Sequence, residues 1–143
     1  MIKKVPVLLN IFFLFFLLLS SCKKNNIDIV SPDNVDEIKV TVTNTMGDVK
    51  MFTVTDKKEI ERLSIKIHMV FGETKKTSWF VAKELTENEK NFKYQLKFYK
   101  STKMIQEIII SQNNKLSVDS EKIIVDRERE LNNLKKHLLA ITT

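Results

Sequence analysis

From Glu37 the chain alternates. Ile38, Val40 and Val42 are apolar while Lys39, Thr41 and Thr43 are polar, the period-two pattern of a half-buried strand. Asn44-Thr45-Met46-Gly47-Asp48 follows as a turn with a glycine for positive φ. Val49 to Thr55 is a second β-branched run, so 37–55 reads as a hairpin. The period then lengthens. Asp56-Lys57-Lys58-Glu59 is a capping-box-like start in which Glu59 reaches back to the cap backbone. Ile60, Leu63, Ile67, Val70 and Phe71 form one stripe of a helix. The spacing predicts a helix over 56–68. Ile65, Ile67, Met69 and Phe71 also alternate, which leaves 65–71 open between helix and strand.

Gly72 to Thr77 reads as a loop, Trp79 to Leu85 as a strand, and the polar run Thr86-Glu87-Asn88-Glu89-Lys90 as a turn. The cleanest strand follows, with Phe92, Tyr94, Leu96 and Phe98 on one face and Lys93, Gln95 and Lys97 on the other. Ser101-Thr102-Lys103 turns the chain into Met104 to Ser111, where Ile108, Ile109 and Ile110 in a row suit a central strand. Leu116 and Val118, then Ile123 to Val125, make a short hairpin. Asp126 is placed to cap a last helix with the stripe Leu131, Leu134, Leu138 and Ile141, from which Lys135 is expected to point away. The order is β-β-α-β-β-β-(β-β)-α. Neighbouring strands joined by short turns favour antiparallel pairing, so the expected fold is α+β, an antiparallel β-sheet with about two helices.

Upstream of Glu37 the character differs. Residues 23–36 are polar and contain Pro32, and they read as a flexible tether with Ile27, Ile29 and Val30 as apolar exceptions available for packing on the domain. Val5 to Leu19 is almost wholly apolar, behind Lys3 and Lys4 and ahead of Ser20 and Ser21. Basic start, apolar middle and small-residue end are the parts of a secretory signal. A run of about fifteen residues is short for a ~30 Å hydrocarbon core, which makes a permanent transmembrane helix the weaker reading.

Leu19-Ser20-Ser21-Cys22 resembles the lipobox of bacterial lipoproteins: a large aliphatic residue, two small ones, then cysteine. The resemblance implies cleavage between Ser21 and Cys22 and lipidation of the Cys22 thiol. Stable anchoring takes at least two acyl chains, and a diacylglyceryl thioether with an N-acyl chain supplies them. The alternative is an ordinary signal peptide followed by an incidental cysteine. The organisation expected is a signal peptide over 1–21, a lipidated Cys22 and tether over 22–36, and a single α+β domain over 37–143. The mature part, with Phe52-Thr53-Val54-Thr55-Asp56-Lys57-Lys58-Glu59-Ile60 leading into a helix, is similar in pattern to small lysine- and asparagine-rich Gram-negative lipoproteins. In that sorting scheme Asp after the lipidated Cys favours inner-membrane retention. Lys23 stands there instead, which implies the periplasmic face of the outer membrane.

Composition narrows the chemistry. Basic residues outnumber acidic ones by 24 to 18. Nearly all are lysines, with Arg62, Arg127 and Arg129 the exceptions, so the surface lacks the arginine forks that suit phosphate recognition. No nucleic-acid partner is expected. With one cysteine there is no disulfide framework, and two glycines exclude Gly-rich phosphate loops. His68 and His137 lie near the ends of the two predicted helices without metal-ligand spacing, so neither a metal nor a cofactor is expected. No G-x-S-x-G turn surrounds any serine, and the carboxylate pairs Glu59/Glu61 and Glu128/Glu130 diverge on their helices. No catalytic residue and no small-molecule substrate emerge. Trp79 and Tyr99 are the candidate binding surface, because Tyr99 opposes the apolar face of its strand and Trp79 lies on a strand expected nearby. The expectation is a membrane-anchored, non-catalytic module that binds another envelope or secreted protein, of inhibitor or immunity type. The alternatives are a structural subunit of an envelope assembly and a small hydrolase.

Overall fold

A computed structural model describes residues 27–71, 84–125 and 127–143. Among the described residues six strands form one antiparallel sheet: β1 (Glu37–Thr43), β2 (Val49–Val54), β3 (Lys93–Lys100), β4 (Lys103–Ile110), β5 (Lys115–Val118) and β6 (Glu121–Ile124). The helices are α1 (Lys57–Phe71), the single turn α2 (Glu87–Lys90) and α3 (Glu128–Thr142). The α+β class with an antiparallel sheet, expected from the sequence, is the observed one.

The strand order is β2-β1-β3-β4-β5-β6. Both long helices lie on one face. Their stripes, Ile60, Leu63, Ile67 and Val70 on α1 and Leu131, Leu134 and Leu138 on α3, join Ile38, Val40, Val42, Tyr94, Leu96, Phe98, Ile108 and Ile110 in one core. The helices run antiparallel to each other: Arg127, at the start of α3, donates to the carbonyl of Met69 near the end of α1 at 3.0 Å, while His137 of α3 meets Glu59 in the first turn of α1. Among the described residues no helix is long and apolar enough to cross a membrane.

Local chemistry sets most boundaries. Asp56 caps α1 by accepting the Glu59 N–H at 3.0 Å. Glu59 does not close the box; its carboxylate accepts from Arg62 and faces His137. Helix α1 continues through Phe71, which settles 65–71 as helix. The polar run expected as a turn is helical because Thr86 and Glu89 form a complete capping box. The β3–β4 and β5–β6 hairpins close with Ser101-Thr102 and Asp119-Ser120, all four at positive φ, as the twist of two-residue hairpin loops demands. Arg127 stands at the cap of α3 without a side-chain hydrogen bond to that helix's own N–H groups; Asp126 lies outside the described residues. Of the strand expected over 79–85, residues 79–83 lie outside them too, and Glu84 and Leu85 belong to no strand.

The expected tether is corrected from Ile27 onward. Ile27, Ile29 and Val30 pack against the core, and Pro32–Asn34 forms a 3-10 turn. The reason is a buried side chain on the core face: Gln106 of β4 shares parity with Ile108 and Ile110, and its amide holds segment 27–30. The Gln106 side chain accepts the Val30 N–H at 2.9 Å and donates to the Asp28 carbonyl at 2.8 Å and to Asp119 Oδ2 at 3.2 Å. Cys22 and the lipobox-like residues before it lie outside the described residues.

Candidate binding surface

The face of the sheet opposite α1 and α3 is built by the polar half of each alternation. Register places Lys39, Thr41 and Thr43 of β1 beside Lys97, Gln95 and Lys93 of β3. Ile109 and Glu107 of β4 extend the rows, followed by Ser117 and Lys115 of β5 and Lys122 of β6. No described element covers this face. Its side chains pair laterally: Gln95 donates to Glu107 at 2.7 Å, and Lys39 reaches Glu37 at 3.4 Å. Five lysines against two glutamates leave the surface cationic.

Tyr99 lies on this open face, as expected from its parity. It is half-buried beside Glu37, with Lys39 Nζ 4.8 Å from its ring centroid, a cation–π distance. Trp79 lies outside the described residues, so the Trp79–Tyr99 cluster is represented by Tyr99 alone. Its aromatic companions on β3, Tyr94 and Phe98, face the core with Leu96.

The margin next to β1 is more apolar than the face. Met51 is 74% exposed, Val49 56% and Phe52 43%, all on β2, and Met46 at the hairpin tip is 82% exposed. Only Val54 of this strand is buried. Sequence reasoning missed this margin, because a β-branched run reads alike at a centre and at an edge.

The other polar groups form no reactive cluster. Among the described residues no group of His, Cys, Asp and Glu is placed to hold a metal. His68 Nδ1 is 2.8 Å from the Ser64 carbonyl of its own helix, and His137 faces Glu59, so the two histidines do not meet. A polar hollow of about 190 Å³ lies at the far end of the molecule between Glu87, Lys90, Asn91, Asn114, Glu128 and Asn132. Glu87 and Lys90 neutralise each other there at 2.8 Å.

Beneath that hollow is the main surprise. Lys135, expected to point into solvent, is fully buried. Its ammonium donates to the Lys90 carbonyl at 3.2 Å and to Asn114 Oδ1 at 3.0 Å. It thus caps the C-terminus of α2, where a cation meets unpaired carbonyls favourably. Burial pushes its pKa down, Glu128 pulls it up and Lys90 pushes it down further. Tyr94 completes the arrangement by donating its hydroxyl to the Glu89 carbonyl at 3.0 Å. Burial and the nearby Glu89 raise the Tyr94 pKa far above the ordinary phenol value, so the hydroxyl stays a donor. The signal was legible: Lys135 stands four residues after Leu131 and three before Leu138, on the same stripe.

No family model, curated protein or solved structure matches this chain.

Proposed function

We propose that this chain is a lipid-anchored envelope protein, held through Cys22 at the periplasmic face of the outer membrane. Its domain is a non-catalytic module that binds another envelope or secreted protein, of inhibitor or immunity type. The observation that supports binding best is the open cationic face around Tyr99, Lys39 and Lys97, which no described element covers. A sheet needs one face for its core, and the second is free to meet a partner. Lysines spread among Thr, Gln and Tyr suit an acidic protein surface, with charge steering encounter and the aromatic ring supplying contact area.

Two measurements test the two halves separately. Metabolic labelling with a fatty-acid analogue should mark the wild-type chain and not Cys22→Ser; equal labelling of both sinks the anchor. Cross-linking and recovery from its own envelope fraction should yield a defined acidic partner that Lys97→Glu loses. Recovery unchanged in Lys97→Glu sinks the open face as the interface.

A further inference from the structure

We propose that two copies of this chain pair through β2, edge to edge and antiparallel, so that the two six-stranded sheets become one. The inference rests on the sheet margin and is independent of the lipid anchor.

The sheet has two edges, and they differ. β6 is short and begins with Glu121-Lys122, the charged form that discourages pairing. β2 is six residues long, holds register with β1 over all six pairs and contains neither proline nor bulge. Its unpaired backbone is identifiable. The Asn44 N–H donates to the Asp48 carbonyl at 3.0 Å, and hydrogen-bonded pairs recur every second residue. Lys50, Phe52 and Val54 therefore bond to β1. Val49, Met51 and Thr53 aim their N–H and C=O groups outward, where no described residue meets them. Met51 and Val49 on this edge are among the most exposed apolar side chains of the described residues. A long regular edge with apolar side chains is a template for another strand.

The strand is complementary to itself in one register. A two-fold axis at Met51 sets Met51 against Met51 and Val49 against Thr53. It sets each Lys50 against the Phe52 of the other copy. Those last pairs occupy the non-hydrogen-bonded positions, where side chains approach closest, and a lysine over an aromatic ring is attractive. Shifting the axis to residue 50 sets Lys50 against Lys50, which is unfavourable. Shifting it to Phe52 sets Lys50 against Val54 and loses both cation–π pairs. Charge thus selects the Met51-centred dimer.

The test uses the full chain carrying Cys22→Ser, so that an introduced thiol is the only one. Five paired residues make a contact smaller than a standard interface, so sedimentation should be followed up to about 200 µM. The weight-average mass should rise towards two chains. Met51→Lys, which sets like charges across the axis, should hold the mass at one chain without altering thermal unfolding. Met51→Cys should oxidise to a linked dimer at least tenfold faster than Lys39→Cys on the open face. A chain that stays monomeric throughout, a dimer that survives Met51→Lys, or equal cross-linking of the two cysteine variants would each overturn the proposal.

Discussion

His137 of α3 places Nε2 2.7 Å from Oε1 of Glu59 in the first turn of α1. The contact is short but off-axis, and neither atom completes a well-aligned hydrogen bond. Both side chains are largely shielded, 19% and 22% exposed. Burial pushes the His137 pKa below its ordinary value of 6.5. Glu59 pulls it up by its negative charge, while Lys66 and Arg62 push it down. Burial wins, so the imidazole is neutral at pH 7 and joins the helices as a polar packing contact.

The sign of the pH dependence follows. The folded pKa lies below the unfolded one, so the unfolded chain takes up the proton first. The His137 contribution is fully present above pH 6.5 and is lost as pH falls through that value towards the folded pKa. Urea midpoints measured from pH 7.5 downward should fall more steeply for the wild type than for His137→Gln. A wild type that gains stability relative to the variant on acidification would show that the Glu59 attraction dominates instead.

Lys135 should behave as a core residue. Lys135→Met keeps the stem but leaves the Lys90 carbonyl and Asn114 Oδ1 without their donor, and an orphaned buried polar group costs about 1–3 kcal/mol. Leu134→Ala, its fully buried neighbour, should cost about 2–5 kcal/mol. Lys58→Ala, at an exposed position in the first turn of α1, should cost far less than either. Thermal unfolding of the three variants gives the order.

Gln106 should decide whether segment 27–30 stays docked. Gln106→Leu suits the apolar face but strands the Val30 N–H and the Asp28 carbonyl. The expected loss is about 1–3 kcal/mol, with faster amide exchange at Val30 and little change at Leu96. A chain trimmed to begin at Ser31 should lose stability for the same reason, together with the packing of Ile27, Ile29 and Val30.

The β3–β4 turn holds a β-branched residue in the left-handed region, Thr102 at φ 70°. Asp36 braces the turn by accepting the Ser101 N–H at 2.9 Å and pairing with Lys100 at 3.2 Å, and these two contacts lower the Asp36 pKa. Non-glycine residues at such φ carry ~1–2 kcal/mol of strain. Thr102→Gly should therefore raise the urea midpoint, by about 1 kcal/mol in stability.

The elements of this fold were legible in the chain because strand and helix periods are local properties. Ile38-Val40-Val42 and Tyr94-Leu96-Phe98 alternate, and Ile60-Leu63-Ile67-Val70 and Leu131-Leu134-Leu138 follow helical spacing, wherever the neighbours lie. The parity that exposed Tyr99 on the open face was readable for the same reason. Strand order was not, because backbone hydrogen bonds are alike for every residue and nothing local says which strand is an edge. Only the assembled sheet made β2 a margin and left Met51 and Phe52 uncovered. Only the folded sheet brought the Gln106 amide within reach of Asp28 and Val30 and so docked Ile27 to Val30 on the core. Lys135 and His137 likewise gained their partners from other elements: a buried polar group is tolerable when distant atoms satisfy it, and Lys90, Asn114 and Glu59 are brought near by tertiary structure alone.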